Sequence, residues 1–300
     1  MPELPEVETT VRDMRRLLVG RTFDGLKFQD WPNLLHTHPP QVFGDLLKDE
    51  KVVGVSRRAK YILIELTNDR HLVFHRKMSG NLFWREAAAP PDKYTHVIFG
   101  FQDGSELRFA DMRKFGRVYL FLDKNELEQH LSKLGAEPLL EDFTEAKFIE
   151  LLQGRKGQIK QLLLNQNMLV GLGNIYVDES LWLSKINPQR QAATLTDAEK
   201  RRLYAAIREI LSIAIVNRGT TFSDYLDGEG KSGSNQEFLR VYERWNEPCL
   251  DCGTPISKIV VGQRGTHFCP NCQPIPEGVT PTLPKQKQPN SNKRQSVIAS

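Results

Sequence analysis

The four cysteines of this 300-residue chain are its most specific chemical signal, and all of them fall between positions 249 and 272. Cys249-x2-Cys252, sixteen intervening residues and Cys269-x2-Cys272 is the spacing of a zinc ribbon. Each pair presents two thiolates from one turn, and four thiolates close a tetrahedral site with no open coordination position. One structural Zn2+ is therefore expected, organising a hairpin without taking part in a reaction. Disulfides, or four unconnected thiols, leave that spacing unexplained. Lys258, Gln263, Arg264 and His267 lie between the pairs, so the metal would hold a basic hairpin suited to a polyanion.

Other residues could do chemistry. Proline follows Met1, and loss of that methionine would expose a secondary amine; α-amino groups titrate near pH ~8, so part of it would be neutral and nucleophilic at pH 7. Read alone, Pro2 is better explained as the start of a helix. Glu3 and Glu6 share a face at i,i+3 spacing, where they are either an acid/base pair or ordinary first-turn acids. In Val170-Gly171-Leu172-Gly173-Asn174 the glycines allow a tight turn, Asn174 could cap the next helix, and free N–H groups could hold a phosphate oxygen.

The net charge of +4 carries little by itself, because residues 273–300 hold Lys285, Lys287, Lys293 and Arg294 against Glu277 alone. The argument for a nucleic-acid partner rests instead on local clusters: Arg57-Arg58-Ala59-Lys60, Arg76-Lys77, Arg113-Lys114 with Arg117, and Arg155-Lys156 with Lys160. No apolar run has the length of a membrane span, and the acidic N-terminus is unlike a signal peptide, so the expectation is a cytoplasmic chain with no membrane partner.

These residues need a scaffold. Val7, Val11, Met14 and Leu17/Leu18 predict a helix over 3–18. From 51 to 122 short runs separated by Asn68-Asp69 and Asp103-Gly104 predict an antiparallel sandwich or flattened barrel. Helices follow near 144–153, 157–166, 174–184 and 196–217, the last with a capping box in Thr196 and Glu199. A Gly/Ser-rich loop at 227–235, the cysteine segment and a polar tail complete the chain. The fold class is α+β, in four parts: an N-terminal β-domain with flanking helices over 1–135, a helical domain over 136–226, a loop and zinc ribbon over 227–272, and a disordered tail over 273–300.

Taken together, the motifs resemble the bacterial formamidopyrimidine-DNA glycosylases. The resemblance runs in order through Met1-Pro2-Glu3-Leu4-Pro5-Glu6-Val7-Glu8-Thr9, Arg57–Tyr61, His75–Gly80, Asp111-Met112-Arg113-Lys114-Phe115-Gly116, Leu134–Leu139, Gly171–Tyr176, Gly219-Thr220-Thr221 and Gly262–Cys269. It implies a β-sandwich, a helix-two-turns-helix domain and a zinc finger. It also implies a monomer acting in base excision repair on double-stranded DNA with oxidised bases or abasic sites, as glycosylase and β,δ-eliminating lyase. Pro2 would be the Schiff-base nucleophile and Glu3 the acid/base at the sugar. Lys60 would contact DNA and assist catalysis, and Arg264 would serve the final phosphate elimination. His96, Arg113, Arg155, Lys160, Asn174 and Arg264 match DNA-contacting positions. Met78, Arg113 and Phe115 match a triad that fills the gap left by the extruded base, and the loop from Thr220 to Gln236 matches a mobile cover.

Two positions depart from the family pattern. Arg76-Lys77 follows His75 where an apolar residue is usual, altering the hairpin that carries Met78. Glu243 stands where glycine is common, at a position expected to lie away from the chemistry. An endonuclease VIII-like enzyme of the same proline chemistry but acting on oxidised pyrimidines is the nearest competing reading. A catalytically silent DNA-binding protein is another, and the intact Pro2, Glu3 and Lys60 argue against it.

Overall fold

The structure, a computed structural model, describes residues 2–86, 88–90 and 92–275. Helix α1 (Leu4–Leu18) has Pro5 in its first turn and buries Val7, Val11, Met14 and Leu18, the stripe its periodicity predicts. Strand β1 (Phe23–Gln29) and helix α2 (Pro40–Leu47) precede a run of seven strands: β2 (Val52–Arg58), β3 (Tyr61–Leu66), β4 (His71–His75), β5 (Gly80–Arg85), β6 (Thr95–Phe101), β7 (Glu106–Asp111) and β8 (Arg117–Phe121). They form two four-stranded antiparallel sheets, ordered β1-β6-β7-β5 and β2-β3-β4-β8. One core of α1, α2 and inward-facing strand residues such as Phe23, Phe74, Phe99 and Phe109 fills the space between them. Helix α3 (Lys124–Leu131) covers Leu63, Val73 and Phe121 on the outer face of the second sheet, which is why these strands read as continuous apolar runs.

Helices α4 (Glu145–Leu152), α5 (Ile159–Leu164), α6 (Asn174–Leu183) and α7 (Asp197–Val216) build a second core around Leu163, Leu172, Val177 and Leu211. The expected capping box of Thr196 and Glu199 opens α7. Helix α6 is central: Tyr176, Asp178, Glu179, Ser180 and Trp182 are all buried, so it has no solvent face. Strands β9 (Ser257–Val261) and β10 (Arg264–Phe268) form the terminal hairpin, and β10 packs against α6.

The two cores are joined by charge. Arg57 and Arg58 both bond to Glu137 (2.7 and 3.0 Å), and Arg58 also donates to the carbonyls of Leu134 and Gly135. These two arginines, expected on a basic surface, are structural. Arg76 is a second correction: it is fully buried and donates to Thr10, Gly80, Asn81 and the Leu226 carbonyl, with its guanidinium over the Tyr225 ring. It thereby pins part of the segment expected to be a mobile cover. Asn81 adds bonds to Asp224 and Leu226, and Gly228 N–H donates to Asp13. Ordered chain also extends past the expected tail boundary at 273, because Gln273 is buried and bonds to Ile186, Asn187 and Cys269. The remaining tail expectation, from 276 on, lies outside the described residues.

Candidate active site

A cleft of about 780 Å³ opens where the N-terminus of α1, the β2–β3 turn, the head of α6 and the β9–β10 hairpin meet. Glu3, Lys60, Met78, Asn174 and Arg264 line it. Pro2 is buried and immediately precedes Glu3; Met1 lies outside the described residues.

Glu3 reaches the head of α6. Its carboxylate accepts from the N–H groups of Gly173 (2.7 Å), Ile175 (3.0 Å) and Tyr176 (3.3 Å), while its own N–H donates to Glu6. Read from the sequence, the glycine turn could be a plain connector or could offer these amides to a phosphate, with Asn174 able to cap the helix. Instead the cap residue is Gly173, the amides serve Glu3, and Asn174 donates its side-chain amide to the Gly265 carbonyl. Burial raises the Glu3 carboxyl to about 7; Lys60 opposes that shift, Glu6 adds to it, and the helix amides restrain it. Glu3 therefore exchanges its proton near neutrality.

Lys60 lies in the tight turn between β2 and β3. Ala59 adopts a left-handed conformation there, and its N–H is held by Glu137. Lys60 is buried and donates to the Leu172 carbonyl at 2.8 Å; burial lowers its pKa, against the pull of Glu3 and Glu6. Glu6 is buried too, accepting from the Tyr176 hydroxyl and the Thr220 N–H, so it ties α1, α6 and the segment after α7 together. Of its two readings, ordinary helix acid or functional acid, the structure makes it a scaffold for Glu3.

Arg113, Arg155 and Arg264 are exposed. Arg113 lies over the Phe115 ring at 4.9 Å, and Met78 and Phe115 project from neighbouring turns with 41% and 44% of their surface open. Met78 lines the cleft, so its apolar surface is open to whatever enters there. Two expected DNA contacts are placed otherwise. Lys160 is completely buried, its ammonium shared by Asp178 (2.6 Å), Thr266 (2.8 Å) and the Gly265 carbonyl (3.1 Å), because α5 and β10 both pack against α6. His96 is buried with one ring nitrogen on Asp30 and the other on the Asp111 carbonyl. Both brace the site from behind. Glu243, conversely, lines the cleft itself in a left-handed conformation (φ 58°), which explains why glycine suits that position and corrects its expected remoteness.

Sequence reasoning missed Tyr176, Asp178, Glu179 and Asp111. Glu179 accepts from the N–H groups of Arg240, Val241 and Tyr242, and Asp178 from His267 N–H, so α6 also aims the zinc hairpin. For Asp178 and Glu179 the available signal was a pair of adjacent acids inside an apolar helical stretch.

The four cysteine sulfurs lie within 4.8 Å of one another, with near edges of 3.5, 3.5 and 3.9 Å. Zinc–sulfur bonds of about 2.3 Å give tetrahedral edges of about 3.8 Å, so the set fits a structural zinc. Trp182, Val241 and Ile256 pack around it.

Three family models match in chain order: the formamidopyrimidine-DNA glycosylase N-terminal domain over residues 1–118, the formamidopyrimidine-DNA glycosylase H2TH domain over 134–225, and the zinc finger found in FPG and IleRS over 246–275. A formamidopyrimidine-DNA glycosylase of Herpetosiphon aurantiacus is 46% identical over 273 residues, covering 91% of this chain and 100% of that protein. Another, from Symbiobacterium thermophilum, is 46% identical over 290 residues, covering 96% and 94%. A Lactococcus lactis Fpg variant in complex with Fapy-dG-containing DNA matches with a TM-score of 0.85 at 38% identity, covering 91% of this chain and 100% of that one. The Lactococcus lactis Fpg with abasic-site DNA matches at 0.84, with the same identity and coverage.

Proposed function

The chain belongs to the formamidopyrimidine-DNA glycosylase family, and from that membership we propose that its free Pro2 amine attacks C1′ of an oxidised purine nucleotide in duplex DNA. Glu3 protonates the ring oxygen as the bond from Pro2 nitrogen to C1′ forms and the bond from C1′ to the ring oxygen breaks, opening the sugar. The base then leaves with the proton that the Pro2 nitrogen gives up, and an iminium remains on Pro2. Loss of the C2′ proton then expels the 3′ phosphate, and a second elimination expels the 5′ phosphate. Arg264 and Lys60 stabilise the phosphates that leave; Arg113 and Arg155 hold the strands. Met78, Arg113 and Phe115 occupy the space vacated by the base. Residues 1–135 carry the chemistry, 136–226 grip DNA, and the zinc holds Arg264 in the cleft. The enzyme acts as a monomer in the cytosol, where its substrate is.

One observation carries this reading: Glu3, a carboxyl that titrates at about 7, next to Pro2 and in one cleft with Lys60 and Arg264. Borohydride reduces an iminium to a stable amine. Incubation with a duplex holding 8-oxoguanine opposite cytosine should therefore trap protein on DNA, with the adduct on the peptide that begins at Pro2. Base release by protein lacking Met1, without any trapped complex, would mean water is the nucleophile. A parallel duplex with an oxidised pyrimidine decides between the purine and pyrimidine readings; the proposal expects faster excision from the 8-oxoguanine duplex.

A further inference from the structure

Asp111 ends β7 and is completely buried, yet no cation bonds to its carboxylate among the described residues. Its charge is met by four donors from two different turns. Oδ1 accepts from Ser79 Oγ (2.5 Å) and Arg113 N–H (3.1 Å); Oδ2 accepts from Phe115 N–H (2.9 Å) and Gly116 N–H (2.7 Å). Ser79 directly follows Met78. Gly80 is paired with Asp111 across β5 and β7, so both turns leave the same end of one sheet. The Asp111 carbonyl meets the His96 ring at 3.1 Å.

We propose that Asp111 is the positioning residue that fixes Met78, Arg113 and Phe115 relative to one another, making two turns act as one wedge. The proposal rests on the reading that these three side chains fill the gap left by an extruded base. The physical argument is one of geometry. Met78 and Phe115 leave 41% and 44% of their surface open and neither belongs to a buried core, so their positions depend largely on the backbone of their turns. A carboxylate is the smallest group that accepts from four donors at once. Asparagine has the same shape but offers one acceptor oxygen, and its NH2 faces donors, so two of the four bonds are lost. Asp111 touches no part of the cleft that holds Glu3, Lys60 and Arg264.

The test compares D111N and S79A with M78A, R113A, F115A and the D111N/R113A pair on two substrates. One is the 8-oxoguanine duplex; the other is a single strand with an abasic site, which has no partner base and no gap to fill. D111N should lower the duplex-to-single-strand ratio of kcat/KM by about tenfold. S79A, which removes one side-chain bond and leaves the core intact, should move the same ratio in the same direction. Adding D111N to R113A should cost less than D111N costs alone, as expected for groups acting as a unit. Equal losses on both substrates, or fully additive losses, would overturn the positioning role. If M78A, R113A and F115A leave the ratio at the wild-type value, the wedge reading itself fails; if they lower it and D111N does not, only the role of Asp111 fails.

Discussion

Gly173 faces the carboxyl group of Glu3 so closely that a Cβ there would overlap the carboxyl carbon. The backbone at Gly173 is extended (φ −136°, ψ −158°), a conformation open to alanine, so glycine is needed here for space alone. The missing side chain lets the acid reach the amides of α6. Gly173→Ala should therefore fold, bind lesion DNA and lose excision by about a hundredfold, the scale of a small displacement of a reacting group. Single-turnover base release alongside DNA affinity checks this; an unaffected rate would mean the contact between Gly173 and Glu3 does not set the position of the acid.

Excision should have a bell-shaped pH profile. The Pro2 amine must be neutral, so the rate rises with pH through a value near ~8. Glu3 must be protonated to open the sugar, so the rate falls as pH rises through about 7, where burial has raised it. The maximum lies between them. Glu3→Gln should lower excision by roughly 10²–10⁴ and abolish the alkaline fall, while lesion DNA still binds. A descending limb that survives in Glu3→Gln belongs to another group.

Lys160 and Arg264 should part company in salt titrations of DNA binding. Arg264 is exposed on the hairpin, and its loss should reduce the slope of log K against log [salt] by about 0.9. The Lys160 ammonium is spent on Asp178 and Thr266, so Lys160→Met should leave the slope alone. It should instead cost about 3–5 kcal/mol of stability, because Asp178 is left charged and buried without its partner. A slope change for Lys160→Met equal to that for Arg264→Ala would put Lys160 on DNA after all.

How far these relationships could be read in advance depended on what encoded them. The zinc ligands were legible because four thiolates need their spacing within the chain. Helix α1 was legible because Val7, Val11 and Met14 repeat on one face. Strand β1 was not, because Gly25 and two register shifts against β6 interrupt its alternation. Strand β5 hides its signal differently: Asn81 is buried inside it and bonds to a loop more than 140 residues away. The candidate site residues were chosen by type, but whether a basic residue faces outward or into the interior is decided by tertiary partners. Arg57, Arg76 and Lys160 found theirs in Glu137, Asn81 and Asp178, and nothing local in the sequence marks those pairs.

Glu243 should be a residue whose removal improves binding. It is a carboxylate lining a cleft for a polyanion, and it holds a left-handed backbone that glycine adopts freely. It pairs with Lys258 at 3.7 Å, an exposed pair that contributes little to stability. Glu243→Gly deletes the repulsion and relieves about 1 kcal/mol of backbone strain, partly offset by the greater freedom of glycine in the unfolded chain. Stability should stay level or rise slightly. Affinity for a duplex with an abasic-site analogue should rise roughly fivefold at low salt, and the gain should shrink as salt screens the charge. Tighter product binding should also slow turnover wherever release limits the rate, leaving single-turnover excision unchanged. Glu243→Gln separates the two effects: it removes the charge and keeps the strain, so it should match glycine in affinity and fall below it in melting temperature. Weaker DNA binding by both variants would instead assign Glu243 a direct favourable contact with DNA, such as accepting a hydrogen bond from a base.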